Sequence, residues 1–262
     1  MNKFFKKIVQ FFLKWFAKIY IWRIKPHIIV IAGTTNRHWI KEAVAITLKE
    51  KNFQTRMNKK NFNAEIGLPL SILGINSDEN NFWHWFKIIF QAAKKAFRSK
   101  PPILNEFLVL EMAIDRPKGI KYLLSIVKPK TLILTTVTMI YAENFDTLDK
   151  IALEYKRLIK SLYRHGLAIL NFDDERIKSL AEFSENRVIS YGFSKEADFQ
   201  VKGVKKTTNG QELKIQLYPS RQIRLVKINR FGEHHIYAAL VKEIIRENFR
   251  ISAPDFFQQM RG

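Results

Sequence analysis

Apolar and polar positions along the chain mark a lone helix at the start and an alternation of strands and helices after it. In residues 3–25 the lysines Lys3, Lys7, Lys14, Lys18 and Lys25 fall on one narrow face of a helical wheel. Most of the remaining circumference is apolar and aromatic, including Phe11, Phe12, Trp15 and Trp22. That is the pattern of a basic amphipathic helix. After Pro26 a continuous apolar run at 28–32 reads as a strand buried on both faces, and a helix is predicted at 40–51. A loop at 61–67 leads into a helix at 68–73, and a second basic, aromatic helix covers 82–98. Strands are predicted at 104–112, 131–136 and 167–171, with helices at 120–127 and 147–165 between them. From about 187 to 230 the texture changes to short alternating strands, read as an antiparallel subregion. A last helix covers 233–248. The βαβ alternation predicts an α/β, three-layer fold with a mainly parallel sheet flanked by helices.

Composition narrows the class of partner. The 262 residues suffice for one large domain or two small ones, and 47% hydrophobic content excludes general disorder. There is no Cys, which removes disulfides and thiolate chemistry together and fits a reducing compartment. Lys and Arg number 45 against 24 Asp and Glu, a formal charge of +21. That balance favours anionic partners: a phospholipid surface, nucleic acid or polyphosphate. The first helix is too interrupted by charge to span a bilayer and has no cleavage site of a signal peptide. Its aromatics and its row of lysines (Lys3, Lys7, Lys14 and Lys18, with Phe11, Phe12, Trp15 and Trp22) suit it to lie in a membrane interface. A hydrophobic groove on this domain or on a partner chain is the competing reading. No nucleic-acid motif accompanies the charge, so a nucleic-acid-binding module ranks last.

The segment Gly33-Thr34-Thr35-Asn36-Arg37-His38 follows the strand at 28–32 and opens the next helix, the context of a phosphate-binding loop. A working loop ends in Gly-Lys-Ser/Thr, whose glycine admits the phosphates, whose lysine neutralises them and whose hydroxyl holds Mg²⁺. Here Asn36, Arg37 and His38 stand in those places.

Several further segments occur in an order that resembles the central, ATP-binding domain of the Mur ligases. The similarity is greatest to the type that adds D-Ala-D-Ala to a UDP-muramoyl tripeptide. It covers roughly residues 24–250. It rests on Gly33-Thr34 with Lys41-Glu42, the segment 61–70 with Asn61 and Asn63, Leu110-Glu111-Met112, Lys128-Pro129, Leu170-Asn171-Phe172-Asp173-Asp174, and Gly232-Glu233-His234-His235. The resemblance implies the family's fold and an ATP- and Mg²⁺-dependent amide ligation through an acyl-phosphate. It implies cofactor contacts from Gly33, Thr34, Thr35, Asn36, Arg37, His38, His234 and His235, substrate-loop roles for Asn61, Asn63, Asp173 and Asp174, and a metal contact at Glu111. The family's carbamylated lysine falls at Tyr155 with Lys156 beside it, and its second metal-binding His falls at Tyr141. The Asn after Thr135 is replaced by Thr136.

These replacements converge on one function, the handling of phosphate and magnesium. The reading that follows is a catalytically impaired Mur-ligase homologue with an N-terminal helix (1–25), a central-like domain (26–250) and a tail (251–262) in place of a third domain. It would act in the cytoplasm at the inner face of the plasma membrane. It would bind or scaffold near peptidoglycan precursor synthesis, with an active Mur ligase or another cell-wall enzyme as partner and without a cofactor of its own. The rival is a divergent active ligase using ATP and Mg²⁺, in which Arg37 and Lys156 replace the lost lysines.

Overall fold

The computed structural model describes residues 3–59, 62, 64–77, 82–98, 106–117, 119–138, 144–145 and 147–249. Among the described residues one nine-stranded sheet organises everything else. Its strands are β1 (His27–Ala32), β2 (Gln54–Met57), β3 (Glu106–Met112), β4 (Thr131–Leu134), β5 (Leu167–Asn171), β6 (Arg187–Gly192), β7 (Phe199–Thr207), β8 (Gly210–Leu217) and β9 (Gln222–Ile228). They lie in the order β2-β3-β1-β4-β5-β6-β7-β8-β9. Pairing is parallel from β2 through β7 and antiparallel from β7 to β9. The helices are α1 (Lys3–Ile24), α2 (Arg37–Glu50), α3 (Gly67–Leu73), α4 (Phe82–Phe97), α5 (Gly119–Leu124), α6 (Leu148–Lys160), α7 (Glu175–Ser179) and α8 (Glu233–Asn248).

Alternation along the central strands sorts the core into two layers. Ile28, Val30, Leu108, Leu110, Leu132 and Leu134 face α1, α3, α4, α5 and α6. Ile29, Ile31, Phe107, Val109 and Ile133 face α2 and α8. Burial on both faces is why these strands read as unbroken apolar runs.

The predicted elements occur, with instructive differences. The antiparallel region begins one strand later than the sequence suggested, because β6 pairs parallel with β5, Leu167 opposite Arg187. The crossover between them contains only α7 and a 3₁₀ turn, Leu180–Phe183, too short to show a helical period. Strand β2 was not anticipated. Its sequence Gln-Thr-Arg-Met has no apolar alternation, and it forms because β3 offers a free edge. Helix α2 starts at Arg37, inside the loop as read from sequence, and β4 ends at Leu134, releasing residues 135–138 toward that loop. Helix α6 is capped by Thr147 and ends at Lys160 rather than running to 165.

Helix α1 is integrated into this domain. Val9, Leu13 and Ala17 are fully buried against the sheet's helical layer. Tyr20 donates to Glu106 Oε2 at 2.9 Å, and Arg56 reaches Glu106 Oε1 at 2.5 Å while also donating to Tyr20 Oη at 2.8 Å. A buried carboxylate at the start of β3 thus holds together α1 and the edge strand β2. The residues 251–262, read as a tail, and the side chain of Lys3 lie outside the described residues.

His27 opens β1, stacked on Phe107 and bonded at 3.0 Å to Thr131 Oγ1. Burial, reinforced by the Lys130 ammonium, pushes its imidazole down to about 3. The folded state therefore keeps His27 neutral while the unfolded chain protonates near pH 6.5. Stability is unaffected by this group above that pH. It falls as pH drops toward 3, with a slope approaching ~1.4 kcal/mol per pH unit. Denaturant titrations of wild type and His27→Gln across this range should show the slope reduced in the variant.

Candidate functional site

In an open parallel sheet the ligand crevice lies where the chain's crossovers diverge to opposite sides, outside the carboxyl ends of the strands. Here that point is the end of β1, flanked by β3 and β4. The loop 33–36 and the first turn of α2 occupy it.

Gly33 is required twice over. Its φ of 143° is open to glycine, and an added Cβ would overlap Thr135 Oγ1. The next residues are tied to the segment after β4. Thr34 donates its N–H and hydroxyl to Thr136 O at 2.8 and 3.0 Å and accepts from Thr138 N at 2.9 Å. Thr35 Oγ1 lies 2.5 Å from Thr136 Oγ1, and Thr135 Oγ1 donates to Thr35 O at 2.7 Å. Thr136, which departs from the family pattern, thus helps hold the loop closed. Asn36 takes φ 63°, the left-handed region, at the place where the family has glycine. Asn tolerates that region better than other side chains, so the loop's path survives the substitution.

Arg37 does not point outward. Its Nη1 donates to Gly33 O and its Nε to Glu111 Oε1 at 3.2 Å. One helical turn on, Lys41 is 1% exposed and reaches Glu111 Oε2 at 3.4 Å and Asn58 O at 3.0 Å. Glu111, at the end of β3, therefore has a cation on each oxygen. Asn58 fixes its backbone: Oδ1 accepts from Glu111 N at 2.9 Å and Nδ2 donates to Glu111 O at 3.0 Å. Lys41 entered the sequence reading only as part of the family resemblance, with no role at the site, and Asn58 not at all. For Lys41 a signal existed, since i,i+4 spacing from Arg37 puts both on one face of α2. For Asn58 there was none, because its role depends on the pairing of β2 with β3.

This donor set does not fit Mg²⁺. The ion prefers several oxygen ligands in octahedral geometry. The carboxylate meets two organic cations, which would repel a divalent ion and compete for the same lone pairs. Tyr155, at the place of the carbamylated lysine, is a fully buried core residue. Lys156 sits with its ammonium 3.4 Å from the Phe183 ring centroid. It belongs to α6, on the sheet face opposite α2, and none of its described contacts is with the loop. Asn61, Asn63 and Tyr141 lie outside the described residues.

The other predicted residues divide in the same way. His38 Nε2 is 3.2 Å from Glu42 Oε1 on the half-exposed side of α2. Trp39 packs between the loop's helix and the start of α8, its ring 5.3 Å from His234 and 4.6 Å from His235, with the Arg230 guanidinium 5.6 Å away. Burial, then His234 and Arg230, lowers the pKa of His235. His234 and His235 thus come near α2 through Trp39. Asp173 accepts from Phe193 N and Ser194 N at 2.8 and 2.7 Å and lies 3.0 Å from Tyr237 Oη. Asp174 caps α7 and accepts from Val137 N at 2.7 Å. Both carboxylates are engaged in holding turns. Burial and the Glu233 and Asp173 carboxylates raise the pKa of Tyr237. Beside this network an open groove of about 810 Å³ is lined by Phe193, Phe231, Gly232, Glu233 and Ile236.

A parallel sheet with a glycine loop at its switch point, followed by an antiparallel ribbon, defines an α/β protein built on a P-loop scaffold. The chain belongs to the Mur ligase middle domain family, which it matches over residues 94–242. It is 20% identical over 236 residues to the UDP-N-acetylmuramoyl-tripeptide–D-alanyl-D-alanine ligase of Haemophilus influenzae, covering 89% of this chain and 45% of that protein. It is 30% identical over 108 residues to the UDP-N-acetylmuramoyl-L-alanyl-D-glutamate–2,6-diaminopimelate ligase of Chlamydia muridarum, covering 41% of this chain and 22% of that one. The fold is shared with the MurF ligase of Thermotoga maritima solved in complex with ADP, at a TM-score of 0.71 and 21% identity. That match covers 90% of this chain and 48% of the other. MurF of Acinetobacter baumannii aligns at 0.70 and 15% identity, over 90% and 46%. The chain thus spans about half the length of these full-length ligases.

The Arg37–Glu111–Lys41 triad should behave as a structural unit. Glu111→Gln leaves two cations facing each other in a buried site and should cost roughly 3–5 kcal/mol in chemical denaturation. Glu111→Gln combined with Lys41→Met should recover part of that loss, since the variant removes one of the uncompensated charges.

Proposed function

We propose that this chain is a Mur-ligase-like component of peptidoglycan precursor synthesis that binds or scaffolds rather than ligates. One observation carries the reading: the carboxylate at the family's metal position, Glu111, is bonded on both oxygens by Arg37 and Lys41. Fixed guanidinium and ammonium groups supply the positive charge that a metal ion supplies in a phosphoryl-transfer site. They cannot release it, bridge two phosphates or bind water as a metal does. Within the loop Arg37 also donates to the carbonyl of Gly33, which ties its side chain to the protein.

Support for the pathway comes from the relatives, whose names describe enzymes that extend UDP-N-acetylmuramoyl peptides. The intact scaffold gives this chain the shape of such an enzyme's central domain. A complementary ligase of the same family is the partner that this shape suggests.

Calorimetric titration of ATP into the full chain, with and without Mg²⁺, tests the proposal. The expected result is no Mg²⁺-dependent binding and no turnover. Micromolar, Mg²⁺-dependent binding with ATP hydrolysis that Arg37→Ala abolishes would overturn it, and would make the chain a divergent amide ligase instead.

A further inference from the structure

Helices α1 and α4 lie side by side on the sheet face opposite α2. Phe5 sits 6.3 Å from Phe86 and Phe16 sits 6.2 Å from Phe97. The sequence offset is the same at both contacts, so the helices run parallel. Arg23 closes their C-terminal ends by donating to Ala96 O at 2.6 Å and Arg98 O at 3.0 Å. Each helix has a stripe in the core: Val9, Leu13 and Ala17 on α1, and Trp85, Ile88 and Ala92 on α4.

The opposite stripes are also apolar, and they are exposed. Phe11, Trp15 and Trp22 of α1 recur at i, i+4 and i+11 and are 56, 49 and 75% exposed. Phe90 and Phe97 of α4 are 73 and 60% exposed. Phe12 meets Phe11 and stacks on Phe16, whose ring meets Phe97 of α4, so the two stripes are linked into one belt. Exposed lysines border it on both margins, Lys7 and Lys18 on α1 and Lys87 and Lys94 on α4. Neither helix contains an acidic residue.

We infer that this two-helix face docks flat onto an anionic phospholipid surface, with the aromatic belt in the headgroup–acyl boundary and the two lysine rows against lipid phosphates. Charge decides between the candidate occupants. A second copy placed on the same face would bring lysine rows against lysine rows, because a two-fold interface is self-complementary. A nucleic acid would satisfy the lysines and leave a broad aromatic belt without bases at a defined spacing. An anionic bilayer satisfies both components at once. Neither helix spans the membrane, since no helix among the described residues is long and apolar enough to do so. The inference is independent of the loop chemistry.

The test is flotation of the full chain with phosphatidylcholine vesicles, with and without phosphatidylglycerol, while tryptophan emission is recorded. Binding should require phosphatidylglycerol, weaken with salt and shift the emission to the blue. The variant Phe11→Ser/Trp15→Ser/Phe90→Ser, altered only at exposed positions, should keep its circular dichroism and lose at least tenfold in partitioning. Lys7→Glu/Lys18→Glu/Lys94→Glu should abolish the phosphatidylglycerol dependence. No flotation with either vesicle would overturn the inference. So would binding that the aromatic variant leaves unchanged, which is charge adsorption alone. Concentration-dependent dimerisation lost in the aromatic variant would instead assign the face to a second copy.

Discussion

A carboxylate at the end of a central strand, held between two cations from the neighbouring helix, fixes the functional end of this molecule. Glu111 belongs to β3, Arg37 and Lys41 to α2, and Asn58 to the exit of β2. The triad therefore joins β3 to α2, and Asn58 ties the exit of β2 to the backbone of the same carboxylate residue. It also determines what the loop can do. The guanidinium meets Glu111 and the Gly33 carbonyl, and both oxygens of the carboxylate meet cations. Arg37 thus neutralises this carboxylate from within the loop.

The same economy appears around the loop. Thr136 accepts from Thr34 and pairs its hydroxyl with that of Thr35, Asn36 preserves the left-handed turn, and Trp39 fills the space between α2 and the histidines of α8. Asp173 and Asp174 serve turns. Each of these described groups meets a protein neighbour. Such pairing matters because a polar group removed from water without a partner costs stability.

At the other side of the sheet the constraint is reversed. Helices α1 and α4 each have two apolar stripes, and the domain buries one. Tyr20, Glu106 and Arg56 hold α1 in place so firmly that its outer stripe has a fixed orientation next to that of α4. A single amphipathic helix in sequence becomes half of a two-helix surface in the fold.

Much of this was legible in the sequence. The unbroken apolar runs at 28–32 and 167–171 determined buried parallel strands, because only strands covered on both faces lack polar alternation. The order Gly33-Thr34, Glu111, Asp173-Asp174, Gly232 determined the family scaffold, and the residues at 36–38 marked where the loop departs from a Gly-Lys-Ser/Thr ending. Tertiary structure alone decided what replaced it. That Lys41 and Asn58 converge on Glu111, that Lys156 turns to Phe183 and that β6 continues the parallel sheet are consequences of pairing between segments distant in the chain. Local periodicity does not encode those pairings. It records that a residue is buried or exposed, and packing then selects the neighbour.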